Sequence, residues 1–285
     1  MKESGKSPCA LPLSGFSDRV PKLFGIPSGV PGLDELFFTF RVEGEEVKRL
    51  PLNGFPSAAV IHLTGVPDTG KSLIGEQFSI TQASCGYNVL YVTVEVPAPF
   101  LALSFRQRSQ ALKVDWEVIK ERIFIVDVTA HPELRENVGD LCAFLSKTIE
   151  KEKINSTVID SITGLYEGKE MLARSIVRKL YETMKKHYQT AIFISQKRSS
   201  HEEISSEAAG GYAVPHIVDC TIVLSKIVLN SKAAATMYNR KPGEVLRTIR
   251  IDGCRMCGHD PNVHLLEINE WGILQVGKPL YEVLR

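Results

Sequence analysis

Short apolar runs alternate with longer amphipathic stretches along much of the chain. Residues 59–64, 88–95, 122–128, 157–160 and 190–195 are rich in Val, Ile and aromatic side chains and too short for helices, so they predict buried strands. Between them, 73–83 has helical character, and apolar residues recur at helical spacing at Leu134, Val138, Leu141, Leu145 and Ile149, then at Leu172, Ile176, Leu180 and Met184. Each set marks one buried stripe. Strand, helix, strand repeated in this way predicts parallel strands with crossover helices on both faces, a doubly wound α/β sheet. Its ligand belongs beyond the carboxyl ends of the strands.

After Ser195 the rhythm breaks. A polar loop over 196–211 precedes apolar runs at 217–229, 246–252, 263–268 and 272–276, which read as an antiparallel extension of the same sheet, with a turn at Asn239-Arg240-Lys241-Pro242-Gly243. The first 23 residues hold Ser, Pro and Gly without periodicity and predict a mobile tail, leaving 24–285 as one domain.

Composition narrows the class. With 44% hydrophobic and 24% charged residues, the 285-residue chain can bury a real core, which excludes disordered, collagenous and coiled-coil proteins. A formal net charge of +1 argues against a protein whose main task is coating nucleic acid. The basic residues in Phe105-Arg106-Gln107-Arg108, Arg178-Lys179 and Lys185-Lys186 are open to a nucleic-acid contact, but acidic neighbours such as Glu170 and Glu182 favour solvated helix faces. Six scattered cysteines do not make a disulfide scaffold and suit a reducing compartment. The opening residues lack the apolar core of a secretory signal, and no apolar run reaches membrane-spanning length, so the expectation is a soluble, cytoplasmic protein.

The chemistry concentrates at Gly65-Val66-Pro67-Asp68-Thr69-Gly70-Lys71-Ser72, a G-x-x-x-x-G-K-S string set between a predicted strand and a predicted helix, with Leu73 next in line. Glycines let backbone N–H groups curl around a β-phosphate, a lysine supplies charge to the β- and γ-phosphates, and a serine hydroxyl suits Mg²⁺. Asp160 closes the run Val158-Ile159, where a carboxylate can hold Mg²⁺ through its water shell or cap a helix from Ser161. Glu95 ends a strand and is placed either to orient a water at the γ-phosphate or simply to face solvent. Ser195 and Gln196 end another strand, where a polar side chain such as Gln196 is placed either to sense the γ-phosphate or simply to mark the passage from strand to loop. Cys254, Cys257, His259 and His264 leave a zinc site open, although their spacing is poor for four ligands on one ion.

Several of these residues together resemble the KaiC-like branch of the RecA-type ATPases: Gly25-Ile26-Pro27-Ser28-Gly29-Val30-Pro31-Gly32-Leu33-Asp34-Glu35-Leu36, the phosphate loop, Tyr91-Val92-Thr93-Val94-Glu95 and Val158-Ile159-Asp160-Ser161. The resemblance spans 24–276. It implies a RecA-like core, ATP with Mg²⁺ at subunit interfaces, commonly in hexameric rings, with Lys71 and Ser72 as Walker A contacts, Asp160 as the Walker B acid and Glu95 as a catalytic carboxylate. Val96 stands where the family usually has a second glutamate, which implies slow hydrolysis. Residues 247–255 resemble the family's hairpin that reaches a neighbour's ATP with Lys-x-Arg and a later His: Arg255 and His259 match, while Gly253 replaces the Lys. Arg255 is then the arginine finger. The clock protein's phosphorylated Ser-Thr pair falls on Pro215 and His216, which disfavours autophosphorylation.

The expectation is an oligomeric, slowly hydrolysing ATPase that passes its nucleotide state to a protein partner. Two alternatives stand beside it: a nucleotide-dependent DNA-binding recombination accessory with the loop 197–212 facing DNA, and an ATP-binding switch without significant hydrolysis. Residues 37–56 have no assigned role.

Overall fold

A computed structural model describes residues 10–197 and 214–284. Its elements in chain order begin with β1 (Gly25–Ile26), β2 (Phe37–Glu43), β3 (Glu46–Pro51), β4 (Phe55–Pro56), β5 (Val60–Gly65) and α1 (Lys71–Ser84). There follow β6 (Val89–Thr93), α2 (Ala98–Ala111), α3 (Trp116–Ile119), β7 (Ile123–Asp127), α4 (Pro132–Glu136), α5 (Val138–Lys151), β8 (Ser156–Asp160), α6 (Thr163–Tyr166), α7 (Ala173–Lys186) and β9 (Thr190–Gln196). The chain closes with β10 (Cys220–Val228), α8 (Lys232–Met237), β11 (Val245–Cys254), β12 (Gly258–His259), β13 (His264–Ile268) and β14 (Leu274–Pro279).

Nine strands form the main sheet in the order β14-β13-β11-β10-β5-β9-β8-β6-β7. The stretch from β10 to β7 is parallel, and β11, β13 and β14 add an antiparallel edge. Sequence alternation predicts this doubly wound sheet. The difference lies in β10, which joins β5 in parallel on one side and β11 in antiparallel on the other, so the parallel core is one strand wider than expected.

Both faces of the parallel strands are buried, as continuous apolar runs require. On one face Ile61, Leu63, Tyr91, Val158 and Ile192 pack with Ile74 and Phe78 of α1. On the other, Val60, Val92, Ile159 and Phe193 pack with Leu141, Leu145 and Ile149 of α5 and Val177, Leu180 and Met184 of α7.

Three expectations change. Leu134 belongs to α4 and Val138 to α5, because Asn137 takes an extended conformation and caps α5 by accepting from the N–H groups of Gly139 and Asp140. Leu172 stays exposed before α7, so that helix's buried stripe starts at Ala173 and Ile176. Within the expected tail, Leu13–Arg19 forms a 3₁₀ helix that buries none of its residues.

The segment without an assigned role is a β-hairpin. Strands β2 and β3 pair in antiparallel register from Phe38↔Pro51 to Glu43↔Glu46, and β12 adds a third strand through Gly258↔Phe38 and His259↔Phe37. Its charged, solvent-facing alternation resembles a loop in sequence because only Phe37 is buried in β2.

Candidate functional site

The phosphate-loop string occupies the turn between the carboxyl end of β5 and the start of α1. Gly70 has φ +102°, the left-handed region that glycine tolerates, and it caps α1. A Cβ at Gly65 would lie 2.4 Å from the Leu224 carbonyl oxygen, so the loop can approach β10 only because that position is bare. Thr69 Oγ1 and Lys71 Nζ both donate to the Val66 carbonyl, at 2.9 and 2.8 Å, which curls the loop over the start of the helix.

Neighbouring strand ends bring the polar groups together. Thr93, Asp160 and Ile194 are in register across β6, β8 and β9, and Gly65 pairs with Gln196. Asp160 is hydrogen-bonded to Ser72 and accepts from Tyr91 Oη at 2.9 Å; burial raises its pKa, and those bonds oppose the rise. Glu95 lies two residues past β6, where its carboxylate accepts from Ser161 Oγ and from Gln196 Nε2 at 2.9 Å. Lys71 is 7% exposed. Burial brings its pKa down to about 8, with Asp160 and Glu95 opposing the fall and Lys226 and Lys197 adding to it.

The structure therefore brings Lys71, Ser72, Asp160, Glu95 and Gln196 to one end of the sheet. A bare-backbone cradle at a helix N-terminus suits a polyphosphate. The paired hydroxyl and carboxylate of Ser72 and Asp160 are hard oxygen donors of the kind Mg²⁺ takes.

A family profile described as "ATPase: KaiC" matches residues 26–280. The chain belongs to the KaiC family of ATPases. Among its relatives, a UPF0273 protein of Sulfurisphaera tokodaii is 30% identical over 217 residues, covering 70% of this chain and 67% of that protein. Another, from Pyrobaculum aerophilum, is 27% identical over 264 residues and covers 87% of this chain and 81% of its own length. In fold, the chain matches the crystal structure of a KaiC-like protein from Pyrococcus horikoshii with a TM-score of 0.67 at 22% identity, over 90% of this chain and all of the other.

In this KaiC-family chain the opening motif is a brace for the site. Gln77 of α1 donates to the carbonyls of Gly29 and Leu274 and accepts from the Leu274 N–H, while the Val276 N–H donates to the Pro31 carbonyl. The motif, the phosphate-loop helix and β14 are thereby tied into one unit.

Arg255 and His259 do not join the site. Cys254 pairs with Cys220, and Cys220 with Ile61, at the amino end of β5, whereas the phosphate loop leaves its carboxyl end beside Leu224. About 13 Å of strand separates the two ends at ~3.3 Å per residue. Arg255 is exposed and donates to the His216 carbonyl at 2.9 Å, and His259 pairs with Phe37 on the hairpin.

The possible zinc ligands do not converge either. Cys254 and Cys257 touch, but His264 bonds the Gly277 carbonyl through Nδ1 and its Nε2 lies 3.6 Å from the Asp260 carboxylate, and no group of three metal-ligating side chains is found among the described residues. Arg108, open to a nucleic-acid contact in the sequence, is only 13% exposed and bridges Glu76 and the Gly272 carbonyl. Lys185 pairs with Asp219, while Arg178, Lys179 and Lys186 are exposed. Most of the loop 197–212 lies outside the described residues.

Sequence reasoning missed Tyr91 as Asp160's partner, and it missed Lys226 and Arg247, which both pair with Asp68 of the phosphate loop at 3.3 and 3.2 Å. One signal was available for Lys226: with Ser225 it interrupts the apolar run of the strand, between Ile222-Val223-Leu224 and Ile227-Val228. No helix of the described residues is long and apolar enough to cross a membrane.

Proposed function

We propose that this chain binds ATP with Mg²⁺ in its phosphate loop and hydrolyses it at junctions between copies of itself. The observation that carries the reading is the division of parts: Lys71, Ser72, Asp160 and Glu95 gather at one end of the sheet, and Arg255 stands exposed at the other. A head-to-tail neighbour supplies what a single copy lacks.

Backbone N–H groups of 65–71, all but that of Pro67, which has none, cradle the β-phosphate, with Val66, Pro67 and Asp68 shaping the loop and Leu73 continuing the helix behind it. Lys71 leaves the Val66 carbonyl for the β- and γ-phosphates. Ser72 and Asp160 would hold Mg²⁺, which would supply charge neutralisation at the phosphates. Glu95 accepts a proton from the water that attacks the γ-phosphorus as the bond to the bridging oxygen breaks, leaving ADP and phosphate. Arg255 of the adjacent copy offsets charge on the transferring group, and His259 steadies the same contact.

Lys71→Ala should abolish ATP binding, and Glu95→Gln should bind ATP but not cleave it. Turnover by Glu95→Gln at the wild-type rate would overturn the role of Glu95. A second reading, an ATP-loaded switch with little turnover, draws support from Gln196, which holds the Glu95 carboxylate and leads into the chain beyond 197. In either case the nucleotide state passes to a protein partner from a homo-oligomer in the cytoplasm, a hexameric ring being the form the proposal takes.

A further inference from the structure

Strand β11 ends at Cys254, and Arg255 and Met256 turn the chain so that β12 can join the hairpin at Phe38. The turn is tight for stated reasons. A Cβ on Gly258 would sit 2.2 Å from the Phe38 ring, so only glycine lets that ring close over the turn. The Arg255 N–H donates to the Asp219 carbonyl at 2.8 Å, and its guanidinium to the His216 carbonyl. Within this turn the Sγ atoms of Cys254 and Cys257 lie 3.5 Å apart, both thiols half-buried, with only Arg255 and Met256 between them in sequence. Cys220, fully buried on the adjoining strand, also bonds to Cys254. The nearby His259 and His264 bond the Asp260 and Gly277 carbonyls through Nδ1, and no third metal-ligating side chain joins the two thiols among the described residues, so the contact at this turn is sulfur to sulfur.

We propose that Cys254 and Cys257 are a reversible dithiol–disulfide site that reacts with low-molecular-weight disulfides and sets the position of Arg255. The consequence for turnover rests on the role of Arg255 given above; the thiol chemistry does not.

Cys254 is the attacking sulfur. Hydrogen bonds from Cys220, from Cys257 and from the N–H groups of Met256 and Cys257 hold its thiol below the usual range, while Cys257, bonded to Cys254, is pushed up. The Cys254 thiolate attacks one sulfur of the small disulfide, forming a mixed disulfide and releasing one thiol. Cys257 then gives up its proton and attacks the Cys254 sulfur, forming the Cys254–Cys257 bond and releasing the second thiol. Two electrons pass from the cysteine pair to the small disulfide, which leaves as two thiols carrying the protons. The ring so closed contains the Arg255 backbone, and a finger displaced by about 1 Å loses much of its effect.

The test uses the full chain with Cys9→Ser and Cys85→Ser, equilibrated in buffers of reduced and oxidised glutathione, then alkylated and mapped by mass. The expected result is loss of alkylation at Cys254 and Cys257 together, with their peptides linked, while Cys257→Ser stops at a mixed disulfide on Cys254. ATP turnover should change roughly tenfold or more with the linked fraction and stay flat when both cysteines are serine. Full alkylation at every redox ratio, a Cys220–Cys254 linkage, or a linked pair with unchanged turnover would each overturn the proposal. Should the reduced protein prove unable to hydrolyse ATP, the mapping still decides the thiol chemistry. The rate of tryptic cleavage after Arg255, slowed by ring closure, then reports whether the turn moves.

Discussion

Lys71 is a cation held in a place that suits it poorly until an anion arrives. Its ammonium donates to a carbonyl, and burial lowers its pKa from 10.5 to about 8. A bound polyphosphate restores the charged form, so ATP binding near pH 8 should take up a proton, and affinity should fall roughly tenfold between pH 7 and pH 9. Calorimetry in buffers of different ionisation enthalpy measures both. Lys71→Arg, whose guanidinium stays charged, should flatten the pH dependence; an equally steep fall in that variant would point to another group. Stability in the free protein follows the opposite course. Folded Lys71 binds fewer protons than unfolded between about pH 8 and 10.5, so its contribution to stability grows as pH rises through that window. At this scale the phosphate loop is legible because its residues are contiguous. Tyr91, Lys226 and Arg247 are not, because their partners Asp160 and Asp68 are 69, 158 and 179 residues away.

At the scale of elements, Asp219 ties three of them at the lower end of the sheet. Its carboxylate accepts from the Val60 N–H, from Tyr181 Oη and from Lys185 Nζ at 2.8–3.0 Å, and its carbonyl from the Arg255 N–H. Asp219→Ala should destabilise the fold by about 3 kcal/mol, because it leaves the buried Val60 N–H and the Tyr181 hydroxyl without their acceptor and removes the carboxylate facing the Lys185 ammonium, which keeps the Ala58 carbonyl. Urea unfolding measures this, and a loss under 1 kcal/mol would mean that water replaces the carboxylate. Strands β5 to β9 are legible to within two residues, since strands buried on both faces are apolar throughout. Hairpin β2–β3 is not legible, because it buries little and its charges mimic a loop. The break between α4 and α5 hides inside a regular apolar spacing, and only the backbone at Asn137 reveals it. The parallel pairing of β10 depends on register with β5, 159 residues away, as the Val60–Asp219 bond measures it.

Across the whole molecule, the candidate site and the candidate finger occupy opposite ends of one sheet, and under the proposed function this separation would make assembly part of the chemistry. A head-to-tail contact repeats, so it closes a ring or extends a filament. The family motif at 25–36 and β14 brace the phosphate-loop helix from outside the sheet's centre, while the hairpin and the Asp219 cluster fix Arg255. The decisive measurement is complementation in mixed oligomers. Glu95→Gln keeps a finger but lacks a working site, and Arg255→Ala keeps the site but lacks the finger. Each should be nearly inactive alone, and an equal mixture should regain about a quarter of wild-type turnover, the fraction of junctions that pair one intact half from each. Full turnover by Arg255→Ala alone, or no recovery on mixing, would contradict a site completed between copies.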